Sequence, residues 1–211
     1  MSLVTPPPHR PNALIMVTGG ILTALVAIVF ARLAYGVILP PMREDLGLSY
    51  RQAGNLGTVT ALGYLLFVLV GGVAAGRWGA RNAVALGLFI LTFGFAGLAV
   101  AADYRWILGL MGLLGLGTAF CFAPMVSLLA TWYPERRGLV IGCMGAGVGA
   151  GLFGTGLLVP WLSDAFGDHG WRFAWGLFAA FSAVAVALVL IAVRDPDPLG
   201  SDDPQRPAPA D

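Results

Sequence analysis

The stretch IVFARLAYGVILPP, residues 28–41, places one permanent charge, Arg32, in a run otherwise suited to lipid. An arginine at the centre of a membrane helix costs about 2.5–3.5 kcal/mol on insertion scales, so such a residue usually faces a cavity and serves a function. Tyr35 and Gly36 follow three and four residues later and share a helical face with it. Together they offer an anionic solute a cation, a phenol donor and room to approach. A second reading stays open. Leu39 lies seven residues on, roughly 10 Å along a helix, and a long side chain snorkels over much of that distance or pairs with a neighbour.

Other polar groups within apolar runs are Asn55, Thr58, Thr60, Thr118, Ser127 and Thr155. Such side chains more often bond between helices than to a ligand; Asn55 and Thr118 are the two we select as solute contacts. No Asp, Glu or His falls inside a long apolar run, and His9 and His169 lie outside them. An intramembrane hydrolase needs a nucleophile with a base beside it, so that class is disfavoured. Cys121 and Cys143 stand singly in apolar surroundings, as packing residues rather than a disulfide or metal pair. Nothing in the motifs implies a cofactor or a metal.

The chain that carries these residues has 211 residues, 58% hydrophobic and 11% charged, with a mean hydropathy of +0.82. These values belong to membrane proteins. Twelve basic residues, all arginine, balance eleven acidic ones, which gives no electrostatic case for nucleic acid. Six segments reach the 20 or so residues that span hydrocarbon as helix: residues 13–39, 53–76, 83–102, 106–132, 138–162 and 173–193. They predict an all-α, six-helix transmembrane domain over 13–194, a polar tail at 1–12 and a disordered Asp- and Pro-rich tail at 195–211.

Seven arginines fall on the side of the termini, Arg10, Arg77, Arg81, Arg136, Arg137, Arg194 and Arg206. Four fall opposite, Arg43, Arg51, Arg105 and Arg172. The excess predicts both termini in the cytoplasm, and tryptophans near the predicted ends fit an interfacial belt. The two sets of three helices also echo one another. At an offset of 88, Gly54, Gly57, Gly63 and Gly79 fall on Gly142, Gly145, Gly151 and Gly167; at 89, Gly87-Leu88-Phe89 falls on Gly176-Leu177-Phe178. An odd number of helices per unit makes a 3+3 repeat inverted, a pattern common in secondary transporters.

GGVAAGRWGARN, residues 71–82, is a short, doubly positive link between the second and third segments. It resembles the signature G-x-x-x-D-R-x-G-R-R/K of the major facilitator superfamily. Gly72, Arg77, Gly79 and Arg81 match, while Gly76 stands in place of the aspartate and Ala80 in place of one basic residue. Without the family, the glycines and arginines are explained by a tight turn and by topology. GLGTAF, residues 115–120, resembles the family's helix 4 signature, with Met111 where an arginine is usual, and WYPERRGLVIG resembles its link between helices 4 and 5. Gly149-x-Gly151-x-x-Gly154 has the form of a dinucleotide fingerprint, but no strand precedes it.

The resemblance, closest to bacterial oxalate/formate and monocarboxylate carriers, implies half of a facilitator fold in an inner membrane. It implies alternating-access transport of a small solute such as a carboxylate, with helix 1 lining the cavity. It also implies a second six-helix half as partner, from a separate chain or a second copy. A truncated, non-transporting membrane protein is the other reading.

Overall fold

The computed structural model describes residues 13–193 and 195, and every regular element among them is helical. The rods are α1 (Ala13–Asp45), α2 (Tyr50–Trp78), α3 (Ala80–Val100), α4 (Tyr104–Trp132), α5 (Arg137–Phe166) and α6 (Gly170–Ala192). Five helical stretches are long and apolar enough to cross a membrane, the fifth being Pro134–Ile191. At 1.5 Å per residue that fifth stretch would measure almost 90 Å if straight, about three hydrocarbon thicknesses. It is divided instead by a short turn at Gly167–His169, where Gly167 has φ +59°. The reversal is tight: a Cβ on Gly170 would lie 2.6 Å from the Leu162 carbonyl oxygen. The tails expected at 1–12 and 196–211, and Arg194, lie outside the described residues.

Several helix ends extend two to six residues beyond the apolar runs, and at the starts of α2 and α4 a polar cap, invisible to a hydropathy count, carries the helix outward. Ser49 starts α2 with a capping box, its hydroxyl accepting from the Gln52 N–H (3.2 Å) while its own N–H donates to the Gln52 amide oxygen (2.9 Å). Asp103 starts α4 by accepting from the Arg105 N–H at 2.7 Å. The largest correction is to the first helix. It was expected to stop at Leu39 before two prolines, yet it runs through Pro40 and Pro41 to Asp45. A proline inside a helix loses one hydrogen bond and crowds the carbonyl four residues back; for Pro40 that residue is Gly36, exposed and free of contacts. Fully buried Ile38 and Met42, one turn apart, hold the continuation in place.

α4 is the axis of the bundle, and its glycines set the spacing. On one side a Cβ at Gly63 would lie 2.6 Å from the Gly112 carbonyl oxygen and one at Gly71 2.6 Å from that of Ala119, which brings α2 into backbone contact with α4. A Cβ at Gly115 would fall on the Thr60 carbonyl. On the other side a Cβ at Gly87 of α3 would meet the Gly117 carbonyl oxygen at 2.7 Å. The residues Gly115 and Gly117 of the GLGTAF motif therefore face two different helices. Phe30 stacks on Phe178 with centroids 4.1 Å apart, and Phe95, Trp175 and Phe178 form an aromatic cluster between α3 and α6.

Charged residues fasten both ends. At the Asp45 end, the indole of buried Trp171 donates to the Asp45 carboxylate (2.9 Å), and Arg172 lies 3.7 Å from that carboxylate while donating to the Ala101 carbonyl (2.8 Å). α1, α3 and α6 are thus tied at one level. At the Ala13 end, the turn between α2 and α3 rests on Gly79 at φ +87°. No side chain of that turn caps α3; the Asp195 carboxylate does, accepting from the Arg81 N–H at 2.9 Å, while the Arg81 guanidinium donates to the Leu190 carbonyl.

Gly115→Leu forces α2 away from α4 and is expected to destabilise the bundle by at least 1–3 kcal/mol, the usual range for an overpacked core, read as a lowered unfolding temperature in detergent. Asp45→Ala leaves the buried Trp171 N–H without its acceptor and should cost about 1–3 kcal/mol. Asp45→Asn, which keeps an acceptor, should cost less in the same measurement.

Candidate functional site

The middle of α1 departs from α-helical geometry over Leu25–Leu33, where the chain winds as a π-helix and the Ala34 N–H bonds to the Val29 carbonyl five residues back. Such widened turns are frequent at functional positions because the extra residue redirects side chains. Here it sends Val26, Ala27, Phe30 and Ala31 into the core and leaves Arg32 exposed on the opposite side. Because α1 continues to Asp45, Arg32 lies thirteen residues, about 20 Å, from the end of its helix.

Arg32 opens onto a recess of about 240 Å³ between α1, α2 and α4, bordered by Tyr35, Gly57, Thr60, Ala61 and Met111. Its guanidinium carbon sits 4.8 Å from the centroid of the Tyr64 ring, within cation–π range. Among the described residues no carboxylate pairs with it. A guanidinium bound through its face keeps its five N–H donors in the plane, and that fork matches a carboxylate. Tyr64 owes its position to the glycine contacts: a Cβ at Gly115 would lie 2.8 Å from the Tyr64 backbone nitrogen.

Of the residues selected from sequence, Arg32 and Tyr35 meet at this recess. The Tyr35 hydroxyl, though, donates to the Ala53 carbonyl at 2.7 Å, so toward a solute it acts as an acceptor or as a wall. Gly36 is exposed with nothing near it and lies outside the recess lining. Asn55 is exposed, and its amide donates to the Tyr104 hydroxyl at 3.5 Å, near the start of α4. Thr118 corrects the expectation of a solute contact. It is fully buried, and its hydroxyl is shared between the Leu114 (2.9 Å) and Ala27 (3.1 Å) carbonyls, because α1 packs against that face of α4 and presents the Ala27 carbonyl to it. In the link between α2 and α3, Gly72 is open and Arg77 exposed, while Gly79 and Arg81 form the turn held by Asp195.

Three residues escaped sequence reasoning. Tyr64 and Tyr104 look like ordinary aromatics in apolar or interfacial runs, and Asp195 reads as part of an acidic tail. Met111 carries a clearer signal. It stands where the resemblance places an arginine and, nearly fully buried, it borders the Arg32 recess. Arg32 is consequently the one cation bordering this recess among the described residues.

The profile of the Major Facilitator Superfamily matches residues 15–210. The chain is 31% identical to the human protein named monocarboxylate transporter 11 over 194 residues, which covers 84% of this chain and 40% of that one. It is 28% identical to the hexuronate transporter of Bacillus subtilis (64% of this chain, 32% of that one) and 32% identical to the 4-hydroxybenzoate transporter PcaK of Acinetobacter baylyi (64% and 30%). The chain spans 30–40% of the length of these curated relatives. With a family profile matched along nearly its whole length and helices apolar enough to cross a bilayer several times, this multi-pass membrane chain belongs to the Major Facilitator Superfamily.

Proposed function

We propose that this chain is a six-helix half of an alternating-access carrier for a small organic anion, a carboxylate, in a bacterial inner membrane. The observation that carries the anion is Arg32: a permanent cation within an apolar run, held by an aromatic face and unopposed by any described carboxylate. Placing a charge there without a functional return would be costly. The names of the relatives, which include monocarboxylate, 4-hydroxybenzoate and cis,cis-muconate transport, agree with a carboxylate.

The proposed arrangement is a 3+3 inverted repeat with both termini cytoplasmic. Its support is the pairing of turn glycines: Gly79 after α2 and Gly167 after α5, 88 residues apart, both adopt positive φ. The need for a second half is supported by the faces of α2 and α5. Leu62, Leu65, Leu66, Leu69 and Val73 of α2 are exposed, and Gly142, Gly145, Gly149 and Gly156 of α5 have no neighbour within 4 Å of where a side chain would begin. Small residues of this kind permit close helix contact in lipid. The recess at Arg32 is then one wall of a cavity, and a partner half, on a separate chain or a second copy of this one, completes it.

Proteoliposomes reconstituted with the chain and its complementary half should take up labelled monocarboxylate, and Arg32→Ala should reduce that uptake at least tenfold, the equivalent of losing one charge-assisted hydrogen bond of about 1.5–3 kcal/mol. Uptake unchanged by the substitution would remove the anion assignment. Crosslinking in membranes should trap the chain with a second six-helix unit; strictly monomeric protein with robust transport would overturn the half-carrier reading. The second reading, a non-transporting six-helix protein, predicts neither uptake nor a crosslinked partner.

A further inference from the structure

A separate recess of about 700 Å³ lies between α2, α4 and α5, nearer the Ala13 end than the Arg32 site. Tyr64 borders it, and the same tyrosine carries Arg32 on its ring, so one side chain belongs to both places. α4 supplies the floor. Phe122, Val126 and Ser127 recur at helical spacing along one stripe, with Thr131 one turn beyond Ser127. Arg137, at the start of α5, stands at the far end.

The polar groups here differ in what they have left to give. The Thr131 hydroxyl already donates to the Ser127 carbonyl at 2.9 Å. The Ser127 hydroxyl and the Arg137 guanidinium have no partner among the described residues, and both are exposed to the recess. The acid closest in sequence, Glu135, borders a different cavity of about 440 Å³ together with Arg136. The recess therefore pairs an unopposed cation and a free hydroxyl donor at one end with apolar surface from Phe122 and Val126 along its length. That combination suits an anion with an apolar body. A polyhydroxylated acid would leave several hydroxyls facing carbon, and each polar group buried without a partner is unfavourable.

We infer that this recess is a second anion station, which binds a carboxylate of apolar body with its charge on Arg137 and Ser127 and its body against Phe122 and Val126, one tyrosine away from Arg32. The inference rests on the reading of the chain as half of an anion carrier and narrows its solute class. An anion released from Arg32 toward the Ala13 end meets this station next, with the Tyr64 ring between the two.

The test is titration calorimetry on the chain assembled with its complementary half in detergent, with benzoate, and with glucuronate as the hydroxylated comparator. Two benzoate sites are expected, with glucuronate weaker at the Arg137 site. Arg137→Gln should weaken one site about tenfold or more, the loss of a hydrogen bond to a charged group. Arg137→Lys, which keeps the charge, should retain most of the binding, and Arg32→Gln should affect only the other site. A single site indifferent to Arg137→Gln would overturn the proposal, as would an Arg137 dependence seen for phosphatidylglycerol but not for benzoate. Loss of a site in Arg137→Gln with no effect of Arg32→Gln would uphold this station while removing the Arg32 assignment. Absence of any benzoate binding would remove both. An unchanged unfolding temperature of Arg137→Gln shows that a loss is local; if that variant fails to fold, the Lys variant and the competition between benzoate and glucuronate decide the question.

Discussion

Helices in hydrocarbon gain little by hiding apolar surface from one another, because lipid tails are as apolar as leucine. What draws them together is dispersion at close range, and that requires backbones to approach. In this chain the requirement is met at α4. Gly112 and Gly115 accept α2, Gly117 accepts α3, and the Val59 and Leu91 side chains with the Thr60 and Gly87 carbonyls occupy the space that side chains would fill. Most other placements follow from that contact. Tyr64 sits where it does because α2 stands in backbone contact with α4, Thr118 is sealed by the Ala27 carbonyl of α1, and the Arg32 recess is the gap left where α1 widens beside the α2–α4 pair.

The two arginines at either side of the bundle illustrate how burial and partners separate structural from functional charge. Arg172 has every kind of partner a guanidinium can take: the Asp45 carboxylate, the Ala101 carbonyl and the Trp171 ring. It is a fastening. Among the described residues Arg32 has one partner, the Tyr64 ring, which holds it without neutralising it. A cation positioned by an aromatic face remains available to an anion, and that difference, rather than depth alone, makes Arg32 the centre of the candidate site. Arg81 belongs with Arg172. It is engaged by Leu190, and its backbone is capped by Asp195, so the link that resembles the family signature acts among these helices as a turn and clasp.

Much of this was legible in the chain itself. The apolar runs mark the helices because a segment that crosses lipid must satisfy its backbone internally and cover itself with carbon. The glycine-rich GGVAAGRWGARN motif announces a tight turn, and one occurs at Gly79. Legibility failed where a polar residue had two possible partners. Asn55 and Thr118 were equally suited to a solute or to another helix. The choice fell to Tyr104 for the first and to backbone carbonyls for the second, which depends on distances between helices that no pattern along one helix encodes. The passage of α1 through Pro40 and Pro41 was illegible for the same reason, since burial of Ile38 and Met42 by other helices outweighs the local preference to stop.

The sequence alone determined that the chain is an all-helical membrane protein, where the turn after the second apolar run falls, and that a single charge lies within the first. Those properties are local: hydropathy, glycine at a positive φ, and residue type read along one strand of covalent structure. The tertiary structure decided which groups are free. Only the assembled bundle leaves Arg32 without a described carboxylate while giving Arg172 one, turns Tyr64 toward two recesses at once, buries Thr118, and brings Asp195 across 114 residues to the start of α3. The reason is physical. Whether a polar side chain binds a solute or its own protein depends on what stands within about 3 Å of it, and that is a property of helices meeting in space.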